Sequence, residues 1–210
     1  MKKSKSKNKK NLNKKNLKVY LFRHGETYYN RNGWFTGFID SKLTPKGRRQ
    51  AKIIAKKLKN KKFQVAIQTR LSRSKDTLKP VLKYHPECKT ILTDDRMIER
   101  NYGIYSGTSH KSFIKKYGIK KYNEVHRGWN AKIPKGENFK QVEKRVRPFI
   151  KWLRNYMLKN NVSVAISAHG NSIRAFRKIV ERSPIKEAVK WFIPYDKVFT
   201  YSVDDLKLRK

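Results

Sequence analysis

The stretch VSVAISAHGNS, residues 162–172, decides the fold. Val162, Val164, Ala165 and Ile166 make it the most apolar strand candidate in the chain, which places it at the centre of a sheet covered on both faces. It runs directly into His169-Gly170 and then into a helix-like segment, IRAFRKIV (173–180). The segment KVYLFRHGETYYN (18–30) repeats the arrangement, with Val19–Phe22 delivering Arg23, His24 and Gly25. In open α/β sheets, ligands sit beyond the carboxyl ends of strands, where the chain turns toward a helix. Surface charge is a poor explanation for two His-Gly pairs at such ends; the strands read as rigid mounts. Glycine after each histidine permits close approach of a ligand to the backbone. The helix opening at Asn171-Ser172 adds free N–H groups that favour an anion.

The remaining segments alternate in the same way. LTPKGRRQAKIIAKKLKN (43–60) predicts a helix with Thr44 as N-cap and Pro45 in its first turn, burying Ala51, Ile54, Ala55 and Leu58. FQVAIQT (63–69) predicts a strand, a helix starts near Ser72, and KTIL (89–92) predicts a short strand. SHKSFIKKYG (109–118) predicts a brief helix ending at Gly118. The longest helix covers 137–160, with Phe139, Val142, Val146, Phe149, Ile150 and Leu153 on one face and a bend or boundary at Pro148. A last strand is expected near KVFTYSV (197–203). This alternation predicts an α/β three-layer sandwich, a mostly parallel sheet flanked by helices.

Charge is the unusual feature of the composition. The 210 residues include 54 Lys+Arg and 15 Asp+Glu, a formal net charge of +39. Such a field attracts polyanions, from phosphorylated metabolites to nucleic acid, so non-specific nucleic acid is an expected accessory partner. Nine lysines and no acid fall in the first eighteen residues, so 1–17 is expected to be a disordered tail preceding a catalytic domain at 18–210. The rest still carries 45 basic residues against 15 acidic ones. No apolar run is long enough for a secretory signal or a membrane span. A single cysteine, Cys88, fits a reducing compartment, and a cytoplasmic location is expected. Oligomeric state cannot be read from the chain.

Two imidazoles, an arginine and a helix N-terminus describe a phosphate site that contains a nucleophile. A neutral imidazole can attack phosphorus and carry the phosphoryl group. Neighbouring cations keep it neutral and balance charge on the transferring group. The leaving oxygen needs a proton, so a carboxylic acid is expected nearby. No metal is expected, because two histidines are a thin ligand set and no His-Glu-x-x-His occurs.

These residues carry a resemblance. LFRHGETYYN (21–30) looks like the signature of the histidine phosphatase superfamily, and the region from 18 to about 203 resembles its cofactor-dependent phosphoglycerate mutase branch. FTGFIDSKLTPKGRRQA (35–51), TRLSRSKDT (69–77), RMIERNYG (96–103) and HGNSIRA (169–175) resemble further family segments in the family order. The resemblance implies His24 as phosphoryl acceptor, Glu99 as general acid/base, and Arg23, Arg73 (rather than Arg70) and His169 around the phosphate. It implies substrate contacts from Asn30, Thr36, Gly37, Arg100, Tyr102, Arg127, Gly170 and Asn171. It also implies interconversion of 3- and 2-phosphoglycerate, a glycolytic step, primed by 2,3-bisphosphoglycerate.

The chain departs from the mutase pattern in three places. His110 stands where mutases carry a substrate lysine, with Lys111 one position later; both are kept as substrate-binding candidates. His126 replaces the first of two paired arginines, and Arg127 keeps the second. The stretch between Gly128 and Gly136 is short where mutases have a cover over the site, which puts mutase efficiency in question. The alternatives are a phosphomonoesterase using the same residues and a polyanion-binding protein on an enzyme-derived fold.

Overall fold

A computed structural model describes residues 16–208. Five strands form one sheet: β1 (Lys18–Arg23), β2 (Val65–Gln68), β3 (Thr90–Thr93), β4 (Val164–Ala168) and β5 (Val198–Ser202). Their order across the sheet is β3-β2-β4-β1-β5, and only β5 runs antiparallel to its neighbour. The fully buried β4 is the middle strand, as its unbroken apolar run requires.

Helices cover both faces. Between β1 and β2 lie the one-turn α1 (Tyr28–Arg31) and α2 (Pro45–Leu58). Thr44 caps α2 by accepting the Gly47 N–H, and Ala51, Ile54, Ala55 and Leu58 face inward. With α3 (Ser72–Leu82), α2 closes one face over Tyr20, Phe22, Phe63 and Ala66. On the other face α5 (Phe139–Asn160) and α6 (Gly170–Val180) bury Val146, Phe149, Leu153, Ile173 and Phe176. A short α7 (Ile185–Ala188) precedes β5. No helix among the described residues is long and apolar enough to cross a membrane.

Three local expectations change. The helix from His110 stops being helical at Gly118, where φ is +79° and ψ 161°, but helix resumes beyond it, so α4 spans His110–Arg127 with a break. Pro148 sits inside α5 without ending it. Of the proposed tail, residues 1–15 lie outside the described residues. Leu17 belongs to the fold: it is buried in the core, and its carbonyl accepts the Val203 N–H.

A third cluster, around Phe35, Tyr102, Phe113, Val125, Ala131 and Ile133, packs the long β1–α2 connection against α4. It builds a wall above the carboxyl ends of β1 and β4.

Candidate active site

Strands β1 and β4 are parallel neighbours with Arg23 in register with Ala168. The next residue on each strand is therefore a histidine at the same sheet edge. The His24 N–H continues the ladder to the Ala168 carbonyl, and the two imidazole centroids lie 5.0 Å apart. The backbone beyond His24 is held by a close crossing. A Cβ on Gly25 would lie 2.3 Å from the Gly47 carbonyl oxygen, and one on Gly47 would lie 2.0 Å from the Glu26 oxygen. Gly25 thus admits the first turn of α2, where the sequence pointed to a ligand.

His24 is buried, and its Nδ1 lies 2.7 Å from the Gly25 carbonyl. A carbonyl only accepts, so Nδ1 carries the proton and Nε2 keeps its lone pair. Burial, His169, Arg73 and Arg23 all push the His24 pKa well below its ordinary value, against a smaller opposite effect of the Gly25 bond. His169 is depressed in the same way by burial, Arg73, Arg145 and Arg23. Its Nε2 pairs with Thr69 Oγ1 at 2.8 Å, while Nδ1 is buried without a partner. Both rings are neutral at pH 7.

Two arginines serve this pair. Arg23 donates from Nη1 to the Ile193 carbonyl at 2.9 Å and lies 4.0 Å from the Tyr195 ring centroid; its Nε is buried and unpartnered. Arg73, on the first turn of α3, is buried and donates to the carbonyls of Gly37 (2.7 Å) and Ile39 (2.9 Å), and its Nε is again unpartnered. Gly37 has φ +54°, and a Cβ there would lie 2.9 Å from Ser106 Oγ, so the loop that fixes Arg73 requires glycine. Arg70 turns outward to pair with Asp95.

Glu99 is buried at this same edge, not a surface acid beside Arg96. Its Oε1 accepts from the N–H of Arg100 (2.8 Å) and from Asn171 through both N–H (3.1 Å) and Nδ2 (2.9 Å). Burial would raise its pKa, but the Arg100 and Asn171 hydrogen bonds, Arg23 and Arg73 together lower it to about 2. Oε1 is saturated, leaving Oε2 as the oxygen able to carry a proton.

His24, Glu99 and His169 each offer one ligand atom, all within 4.8 Å of one another. A cation there would face the field of Arg23 and Arg73, which favours an anion instead.

A cavity of about 290 Å³ opens beside this group, lined by Arg23, Asn30, Thr36, Gly37, Glu99, Tyr102, His110, Arg127, Gly170 and Asn171 among others. Two expected contacts are not in its wall. Arg100 is fully buried and turned to the Tyr102 hydroxyl and the carbonyls of Val125 and His126. Lys111 is exposed on α4. The cavity also takes in Trp34, Phe35, His126, Arg174, Phe192 and Tyr195. Arg174 was legible: it lies three residues after Asn171 on α6, hence on the same helical face, and its Nη1 donates to Asn171 Oδ1 at 2.9 Å. Phe192 and Tyr195 come from a loop without periodicity, and nothing in the sequence singles them out.

Residues 19–207 match the histidine phosphatase superfamily (branch 1). A 2,3-bisphosphoglycerate-dependent phosphoglycerate mutase of Mesorhizobium japonicum is 34% identical over 177 residues, covering 82% of this chain and 85% of the relative. Among solved structures, a phosphoglycerate mutase from Bacillus anthracis superposes with a TM-score of 0.70 at 22% identity, over 90% of this chain and 89% of that one. A mycobacterial glucosyl-3-phosphoglycerate phosphatase superposes with a TM-score of 0.73 at 20% identity, over 89% and 97%. With both histidines, Arg23 and a buried glutamate gathered where β1 and β4 end, the matched segments converge on one place in the fold. The chain belongs to the histidine phosphatase superfamily, in its phosphoglycerate mutase branch.

Proposed function

We propose that this protein interconverts 3- and 2-phosphoglycerate through a phosphohistidine at His24. The observation that carries this reading is the distribution of charge around the cavity. Among the described residues, Glu99 is the only acid in its wall. Of the arginines in its wall, Arg23 acts on His24 together with the buried Arg73, whereas Arg127 and Arg174 act on His126. A small molecule with a phosphate and a second anion suits that arrangement.

In this reading the Nε2 lone pair of His24 attacks phosphorus, the N–P bond forms, and the bond from phosphorus to the ester oxygen breaks. Arg23 and Arg73 balance the equatorial oxygens, and the N-terminus of α6 adds its dipole. Glu99 gives a proton from Oε2 to the leaving oxygen. Free, Glu99 is ionised, because its pKa is held near 2 partly by those arginines. A bound phosphate dianion offsets them and raises that pKa, which favours a proton on Oε2 when substrate is present.

The residues also fit 2,3-bisphosphoglycerate. The unpartnered Nε atoms of Arg23 and Arg73 offer donors to one phosphate, and Arg127 and Arg174 would face the other. When bound, it would supply the phosphoryl group that primes His24.

A second reading is hydrolysis by the same residues. It is favoured by the short connection between α4 and α5, residues 128–138, and by the exposed Phe192 at the cavity. Less cover admits water to the phosphohistidine. The deciding assay incubates the protein with 3-phosphoglycerate, with and without 2,3-bisphosphoglycerate, and follows 2-phosphoglycerate and free phosphate together. The expected result is 2-phosphoglycerate formation that depends on the bisphosphate. Phosphate release alone would replace the mutase reading with the hydrolytic one.

Glu99→Gln separates proton donation from binding. It should lower turnover of 3-phosphoglycerate by roughly 10²- to 10⁴-fold, the usual contribution of a general acid. p-Nitrophenyl phosphate, whose leaving group needs no proton, should lose much less. Equal losses on both substrates would make Glu99 structural.

A further inference from the structure

One cluster in the cavity is not used by the phosphoryl chemistry. His110 and His126 stand on the two arms of α4, on either side of the break at Gly118, with ring centroids 5.4 Å apart, and both line the cavity. Phe35 packs edge-on to both, at 4.5 and 6.1 Å, and Tyr122 lies 5.2 Å from His110 and 5.1 Å from His126. The Tyr122 hydroxyl is 3.3 Å from His110 Nδ1.

The ionisable groups around His126 are three arginines, a second histidine and neutral tyrosines. Its own helix contributes Arg127, His110 and Tyr122. The segment after β3 contributes Arg100, which donates to the His126 carbonyl at 3.0 Å, and Tyr102. Arg174 approaches from α6. Burial is the largest cause, followed by Arg127, His110, Arg100 and Arg174, of a His126 pKa near 3. His110 differs: it is less buried, and burial alone lowers its pKa.

Resting on the proposed phosphoglycerate reading, we propose that His126 is a specificity-determining residue that reads the charge of the substrate's non-transferred group. It accepts a proton when a carboxylate enters beside Arg127 and Arg174, and it stays neutral when that position holds only a hydroxyl. A permanent cation at 126 would repel Arg127, Arg100 and Arg174 in the empty cavity. An imidazole supplies the extra charge only when an anion is there to offset it. An opposite charge in contact lifts a pKa by ~1–3, which carries His126 from about 3 to roughly 4–6. Recognition of the carboxylate is then coupled to proton uptake, whereas recognition of the phosphate at His24 is not.

The test is calorimetric titration of the full chain with 3-phosphoglycerate and with glycerol 3-phosphate. The two ligands share a titrating phosphate and differ in the carboxylate. Each is run between pH 4.5 and 7.5 in two buffers of different ionisation heat, which reports protons taken up. At pH 4.5, 3-phosphoglycerate should take up roughly a quarter to nearly one proton more than glycerol 3-phosphate. Beyond the change seen for glycerol 3-phosphate, its affinity should fall by roughly 1.3- to 30-fold up to pH 7.5, as linkage requires. His126→Gln should remove the excess proton. His126→Arg should remove it too and hold the affinity for 3-phosphoglycerate level across that range. Equal uptake by the two ligands on the wild-type protein overturns the proposal, as does an excess that survives in His126→Gln. Binding of glycerol 3-phosphate without binding of 3-phosphoglycerate also overturns it, while leaving the phosphate site at His24 standing. If neither ligand binds, the proposed function fails and takes this inference with it.

Discussion

His24→Ala should abolish turnover, by at least roughly 10⁴-fold, the scale on which covalent catalysts lose rate when the nucleophile is removed. The Gly25 carbonyl fixes the proton on Nδ1, and burial with Arg23 and Arg73 keeps the ring neutral, so the Nε2 lone pair is available at pH 7. His169 is not a substitute, since its Nε2 is held by the Thr69 hydroxyl and its mount is a different strand. Incubation of the wild-type protein with a radiolabelled phosphoryl donor should give acid-labile, base-stable label, and His24→Ala should give none. The substitution removes a ring that spans no core cluster, so the thermal unfolding transition should survive it. A fully active His24→Ala protein would end the phosphohistidine mechanism.

The parts of the site that were legible in the sequence are those delivered by regular structure. Two apolar strands ending in His-Gly need only a parallel pairing to meet, and the pairing follows from alternation with helices. Arg73 came with the family resemblance, and it stands in the first turn of α3. What was not legible depends on where long side chains turn. Arg100 stands beside Glu99 in sequence, yet its guanidinium runs away from the cavity wall to the carbonyls of 125 and 126. Lys111 follows His110 by one residue, and one residue along a helix turns about 100° away, toward solvent. Gly25 was visible as a glycine, but its reason, the crossing of α2, is a contact 22 residues away in the chain. The helix beyond Gly118 was missed because IKKYNEVHR offers only Val125 to the core, too little for a periodic signal. Phe192 and Tyr195 reach the cavity from a loop whose path is set by Arg23 and Arg127 bonding its carbonyls.

Arg73 and Arg70 stand three residues apart after the same strand, and their substitution should have very different effects. Arg73 is buried with a pKa lowered to about 10, chiefly by burial, so it remains a cation at pH 7. Two of its nitrogens hold the carbonyls of Gly37 and Ile39, and its buried Nε has no partner. It is fixed in place with one donor unspent. Loss of such a donor to the transferring phosphoryl group costs ~2–4 kcal/mol at the transition state, or roughly 30- to 1,000-fold in kcat/KM. Arg73→Lys keeps the charge but cannot hold two carbonyls and a phosphate in one planar fork, so its loss should fall between those of wild type and Arg73→Ala. Arg70 is half exposed, pairs with Asp95 and lies 5.1 Å from the Phe38 ring centroid. A surface pair of this kind is worth about 0–1 kcal/mol, so Arg70→Ala should change kcat/KM by less than about 5-fold. Steady-state kinetics of the three variants on one phosphomonoester check both halves. Equal losses at the two positions would mean that Arg73 serves the Gly37–Ile39 loop and that the phosphate is bound elsewhere. A normal kcat with a raised KM in Arg73→Ala would mean that Arg73 holds the ground state and does nothing further for the transferring group.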